Sequence, residues 1–155
     1  MALGTMKGMR PGKTIASLED LAREAVALVS MLEPKTSRAT LVTLSGELGA
    51  GKTAFSQAVA RALGVTEYVT SPTFVLAKTY DLPEGNSFRR LVHIDAYRLT
   101  SGKELTALDF ARVMEDSRTL VLLEWPEMVE EALPDTDIAI TLELQPDESR
   151  TLTYA

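Results

Sequence analysis

Leu44 to Thr53 reads LSGELGAGKT: an apolar run gives way to three glycines in six residues, then a lysine and a threonine. The segment satisfies G-x-x-x-x-G-K-[ST], and its flanks matter as much as the match. Ala39–Leu44 is short, apolar and β-branched, as a buried strand is. From Lys52, the residues Phe55, Val59, Ala62 and Leu63 recur at helical spacing, and Gly64 stands where a left-handed residue ends a helix. Strand, glycine loop, helix is the order a phosphate cradle requires. Glycines let successive N–H groups converge on an anion, and the helix start adds its positive dipole end. Lys52 then reaches the β- and γ-phosphate oxygens, and the Thr53 hydroxyl is placed to ligate Mg2+.

The remaining elements fit around this unit. Ser17 with Asp20 resembles a capping box, and Leu18, Leu21, Ala22, Ala25, Leu28, Val29 and Leu32 predict a helix that stops before Pro34. FVLAKTYDL and RRLVHIDAYRL predict two strands around PEGNS; Ser101 and Glu104 predict a capped helix through Leu105, Leu108 and Val113. Thr119–Leu123 is a fully apolar strand, PEMVEEAL a short helix with proline in its first turn, and the tail alternates around QPDES as an antiparallel hairpin does. The expected fold is therefore α/β: a three-layer P-loop NTPase-like domain with a mixed, centrally parallel sheet and a C-terminal antiparallel hairpin. Residues 1–13, glycine- and methionine-rich without periodicity, are expected to be disordered or expression-derived, with a single domain over 14–155.

Ligands of open α/β sheets sit beyond the carboxyl ends of parallel strands. Two acids end apolar strands: Asp95 closes LVHI and Glu124 closes LVLL, and either is a candidate for the metal. Thr73, in the TSPTF loop, is a candidate switch hydroxyl closing over Mg2+ and the γ-phosphate. His93 reads as a packed, hydrogen-bonded residue and is assigned no chemistry. Trp125, beside Glu124, divides between core packing and a place at the site mouth; Arg98 divides between a salt bridge and phosphate charge.

GELGAGKT, TSPTF, HIDAYRL and LEWPE stand in one order, and together they closely resemble the bacterial tRNA threonylcarbamoyladenosine biosynthesis ATPases of the TsaE, or YjeE, family. The resemblance runs from about Ser17 to the final hairpin. It implies that Glu47, Leu48, Gly49, Ala50, Gly51, Lys52 and Thr53 surround the phosphates of ATP. It implies further that Thr73 is the switch threonine, Asp95 the Walker-B-like acid, Glu124 with Thr53 the Mg2+ site, and Trp125 a functional aromatic. Catalysis would fall to Lys52, Thr73, Asp95 and Glu124. TsaB and TsaD would be the partners in modifying adenosine 37 of tRNA. Glu47 replaces a more usual aspartate, Ala96 a bulkier apolar residue, and Leu21 a threonine near the adenine.

Composition narrows the rest. With 22 acidic and 16 basic residues the net charge is −6, so the chain repels a nucleic-acid backbone; tRNA is expected only indirectly, and DNA not at all. The absence of cysteine excludes disulfides, thiolate metal sites and cysteine nucleophiles. No membrane-length apolar run or signal peptide is visible, and a cytoplasmic location is expected. A small-molecule kinase is the alternative, sharing loop and sheet, but no arginine-bearing lid stands out. A GTPase reading lacks N-K-x-D and has Arg98 where D-x-x-G needs glycine. A module that holds nucleotide without turnover is the non-enzymatic reading.

Overall fold

The computed structural model describes residues 12–67 and 77–155. Its sheet has seven strands in the order β1-β7-β6-β2-β5-β4-β3. These are β1 (Lys13–Ile15), β2 (Thr40–Ser45), β3 (Ala77–Asp81), β4 (Arg90–Asp95), β5 (Thr119–Glu124), β6 (Ile138–Leu144) and β7 (Arg150–Tyr154). The β2–β6, β2–β5 and β4–β5 pairs are parallel, whereas β1–β7, β6–β7 and β3–β4 are antiparallel. The sheet is mixed, with a parallel centre and the expected C-terminal hairpin.

Helices α1 (Leu18–Met31) and α2 (Lys52–Ala62) cover one face, with Leu21, Ala25, Leu28, Phe55 and Val59 packed on Leu44, Leu120, Leu122 and Leu152. The opposite face packs Leu41, Ile94, Val121 and Leu123 under a 3-10 segment (Gly102–Leu108) and the short α3 (Phe110–Met114). Every residue of β5 is buried, which explains its unbroken apolar run. Ser17 caps α1 by accepting the Asp20 N–H at 3.1 Å, and Asp20 accepts the Ala16 N–H in return. At the other end of α2, Gly64 has the left-handed φ of 91° expected of it.

Three local expectations are corrected. The Ser101 side chain caps nothing; Glu104 instead reaches back to the N–H and hydroxyl of Thr100, and the turn tightens into 3-10 geometry. Asp109, left-handed at φ 56°, then separates it from α3. PEMVEEAL forms two single 3-10 turns, Pro126–Met128 and Glu130–Ala132, because Trp125 ahead of it is also left-handed. Lys13, assigned to the excluded tail, opens β1, which is too short to carry a periodicity of its own and exists by pairing with β7.

The turn out of β2 is fixed by contact. A Cβ on Gly46 would stand 2.4 Å from the Leu142 carbonyl oxygen of β6. Gly46→Ala is therefore expected to lose about 1–3 kcal/mol of unfolding free energy in a urea titration, since the loop must leave β6 to admit the methyl group.

Candidate functional site

The loop after β2 carries Glu47, Leu48 and Gly49 at an exposed tip, then turns inward at buried Ala50. Gly51, at φ 102°, opens α2 from a left-handed conformation that aims the first helical N–H groups back at the loop. Lys52 is the first helical residue and is only 5% exposed. Its ammonium donates to the carbonyls of Gly46 at 2.6 Å and Glu47 at 2.8 Å. It also stands 4.0 Å above the centre of the Trp125 ring. Burial holds its pKa below the ordinary 10.5, while Glu124, Glu127 and Asp95 pull it back up.

Trp125 takes its left-handed turn directly after β5, donates its N–H to the Leu44 carbonyl at 3.1 Å and packs its ring against Tyr97, with centroids 4.8 Å apart. The indole thus sits over the start of α2, just beyond the ends of β2 and β5. It makes a cation–π contact with the buried Lys52 ammonium.

Glu124 lies beneath, 1% exposed, at the last position of β5. Its Oε1 accepts the Thr53 hydroxyl at 3.2 Å; its Oε2 accepts the Ser56 hydroxyl at 3.3 Å and lies 2.5 Å from His93 Nε2. The other ring nitrogen, Nδ1, is buried without a hydrogen-bond partner among the described residues. Asp95 stands beside Glu124 in register on β4, and its Oδ1 accepts the Tyr97 N–H at 3.0 Å.

The strand and helix ends therefore bring together Lys52, Thr53, Asp95, Glu124 and Trp125. Thr73 and the TSPTF loop lie outside the described residues. Leu48 is 73% exposed, so whatever the loop tip contributes comes from its backbone rather than that side chain. One residue at the site, Ser56, was not anticipated from sequence, whereas His93 is packed and hydrogen-bonded as expected, with Glu124 as its partner. Ser56 is three residues after Thr53 on the same helical face, and His93 is two before Asp95 on the same strand face; both periodicities were available as signals. Among the described residues, no cluster of three or more His, Cys, Asp or Glu side chains could hold a metal ion. A divalent ion here would need ligands from outside the chain in addition to Thr53 and a carboxylate, as Mg2+ bound through phosphates has.

Beside the loop a groove of about 290 Å³ opens between the start of α1, the loop and the β6–β7 hairpin, with Leu18, Leu21, Gly51, Ala54, Leu142 and Arg150 in its walls.

The family model for the threonylcarbamoyl adenosine biosynthesis protein TsaE matches residues 15–152. The chain belongs to the TsaE family. The Bacillus subtilis tRNA threonylcarbamoyladenosine biosynthesis protein TsaE is 32% identical over 131 residues, 84% of this chain and 78% of that protein. The Treponema pallidum protein of the same name is 33% identical over 139 residues, covering 90% and 96%. A crystal structure of Bacillus subtilis YdiB superposes with a TM-score of 0.75 at 26% identity, over 96% of this chain and 86% of that one. No helix among the described residues of this TsaE-family chain is long and apolar enough to cross a membrane.

The depressed Lys52 pKa has a testable consequence. Between its folded value and 10.5 the unfolded chain binds more protons than the folded one, so this group makes stability rise with pH across that window. Lys52→Met keeps the stem and removes the buried charge. It should leave unfolding free energy at pH 7 unchanged or higher in urea titrations and flatten the alkaline rise; a lower stability would contradict the assignment.

Proposed function

We propose that this chain is an ATPase: it binds Mg·ATP on the Gly46–Thr53 loop and hydrolyses it in support of threonylcarbamoylation of adenosine 37 in tRNA, together with TsaB and TsaD. The observation that carries the reading is the meeting of a buried ammonium, folded onto the carbonyls of a glycine loop, with a carboxylate already hydrogen-bonded to the threonine after it. Such a lysine has weak neutral partners to exchange for phosphate oxygens.

In this reading the loop amides bind the phosphates, and Lys52 swings from Gly46 and Glu47 to the β- and γ-phosphate oxygens. Thr53 and Glu124 would hold the magnesium ion, which when bound would neutralise charge on the phosphates. Ser56 and His93 fix the Glu124 carboxylate so that it need not reorganise during the reaction. Asp95, less deeply placed, orients the attacking water. Trp125 closes the site above Lys52, Thr73 is the switch hydroxyl, and the apolar groove beside Gly51 takes the base. The relatives' names supply the pathway, and the acidic balance fits a division of labour in which partners hold the tRNA.

Phosphate release from Mg·ATP should be slow for the isolated chain and faster with TsaB and TsaD. Glu124→Gln should keep Mg·ADP binding within a few-fold while lowering turnover by roughly two orders of magnitude. Equal turnover in variant and parent removes Glu124 from the reaction, and phosphate transfer that requires a small acceptor would make the chain a kinase.

A further inference from the structure

Arg150 is the first residue of β7, and strand topology brings it to the phosphate end of the sheet. Strand β6 runs parallel to β2, so both finish at the same edge; β7 returns antiparallel from that edge. Along β7, Arg150, Leu152 and Tyr154 share a face by the period of two, and the latter two are buried on the α1–α2 side. Arg150 is thereby directed to the side of the sheet that carries α2 and the loop.

The hairpin turn holds it there. Gln145 donates its N–H to the Ser149 carbonyl at 2.8 Å, the Asp147 carboxylate accepts the Ser149 N–H and hydroxyl at 3.0 and 2.6 Å, and Glu148 is left-handed at φ 71°. Arg150 Nη1 donates to the Glu148 carbonyl at 2.8 Å, and Nη2 reaches the Gly49 carbonyl of the phosphate loop at 3.4 Å. A Cβ on Gly51 would lie 3.8 Å from Arg150 Nε. Both acceptors are neutral carbonyls, and Arg150 forms no ion pair among the described residues. The guanidinium is pinned by one edge, unneutralised, at the lip of the groove that Gly51 and Ala54 help to form.

We propose that Arg150 is a second phosphate-binding cation, supplied to the loop by the C-terminal hairpin, that contacts the part of the polyphosphate common to ADP and ATP. This rests on the loop's being the nucleotide site. A guanidinium held at neutral carbonyls gains by exchanging the long Gly49 contact for a charged phosphate oxygen, and its fixed fork spends little side-chain entropy in doing so. Its position beside Gly51 and the start of α2, within reach of the Gly49 carbonyl, places its action on nucleotide affinity shared by the di- and triphosphate.

Isothermal titration of Mg·ADP and Mg·ATP into the full chain and into Arg150→Gln and Arg150→Lys tests this, with thermal unfolding of each free protein alongside. Arg150→Gln should weaken both nucleotides by roughly 10- to 100-fold, Arg150→Lys should recover part of that loss, and the free proteins should melt together. Unchanged affinity in Arg150→Gln overturns the proposal. So does equal weakening in both variants accompanied by a lowered melting temperature, which would mark a structural residue. If the parent chain binds neither nucleotide, the loop's reading as a nucleotide site falls and this proposal with it; a parent that binds beside an unaffected glutamine variant removes Arg150 alone.

Discussion

A carboxylate at the end of a fully buried strand costs several kcal/mol in lost hydration unless donors replace the water. Glu124 meets that demand with the hydroxyls of Thr53 and Ser56 and with His93, drawn from α2 and β4. Satisfying it ties the first turn of α2 to the ends of β4 and β5. The helix start, the loop before it and the lysine that begins it are in this way fixed relative to the central strands. Removing the acid would leave its donors unpaired; moving the helix would leave the acid bare.

Around that anchor the surrounding pieces have one arrangement. Gly46 leaves β2 in van der Waals contact with the β6 backbone, and Trp125 turns back to the Leu44 carbonyl. On the far side, the Glu24 carboxylate accepts from Tyr154 of β7 and pairs with Lys13 of β1 at 3.2 Å, fastening α1 to the hairpin. Beyond its pairing with β2 and β1, the hairpin is therefore tied through α1 and through Arg150 at the loop. A C-terminal element that looks peripheral in sequence has a route to the site.

The loop and its flanks were legible because the constraint is local: strand, glycines, lysine and helix lie within one short stretch, and each residue type has a backbone or charge reason to be there. Asp95 and Glu124 were legible for a related reason, since an acid ending an apolar strand stands out in any α/β pattern. The failures have a common origin in contacts between distant residues. Nothing near Lys13 announces β1, whose hydrogen bonds come from β7. His93 reads as packed and hydrogen-bonded, but its partner Glu124 lies 31 residues away, and nothing near Arg150 announces the loop to which topology returns β7. The two expected helices that the structure shows as 3-10 turns, after Ser101 and at PEMVEEAL, reflect a different competition: the left-handed backbone at Asp109 and Trp125 cannot be inferred from side chains that ordinarily avoid it.

The proposed nucleotide site depends on a few backbone amides at the end of the loop and the start of α2. Amide hydrogen exchange across Gly49–Thr53, compared without nucleotide and in saturating Mg·ATP, addresses them directly. Slowed exchange at these amides is the result the account predicts. Unchanged exchange there, with nucleotide bound and protection appearing on another surface, would contradict it.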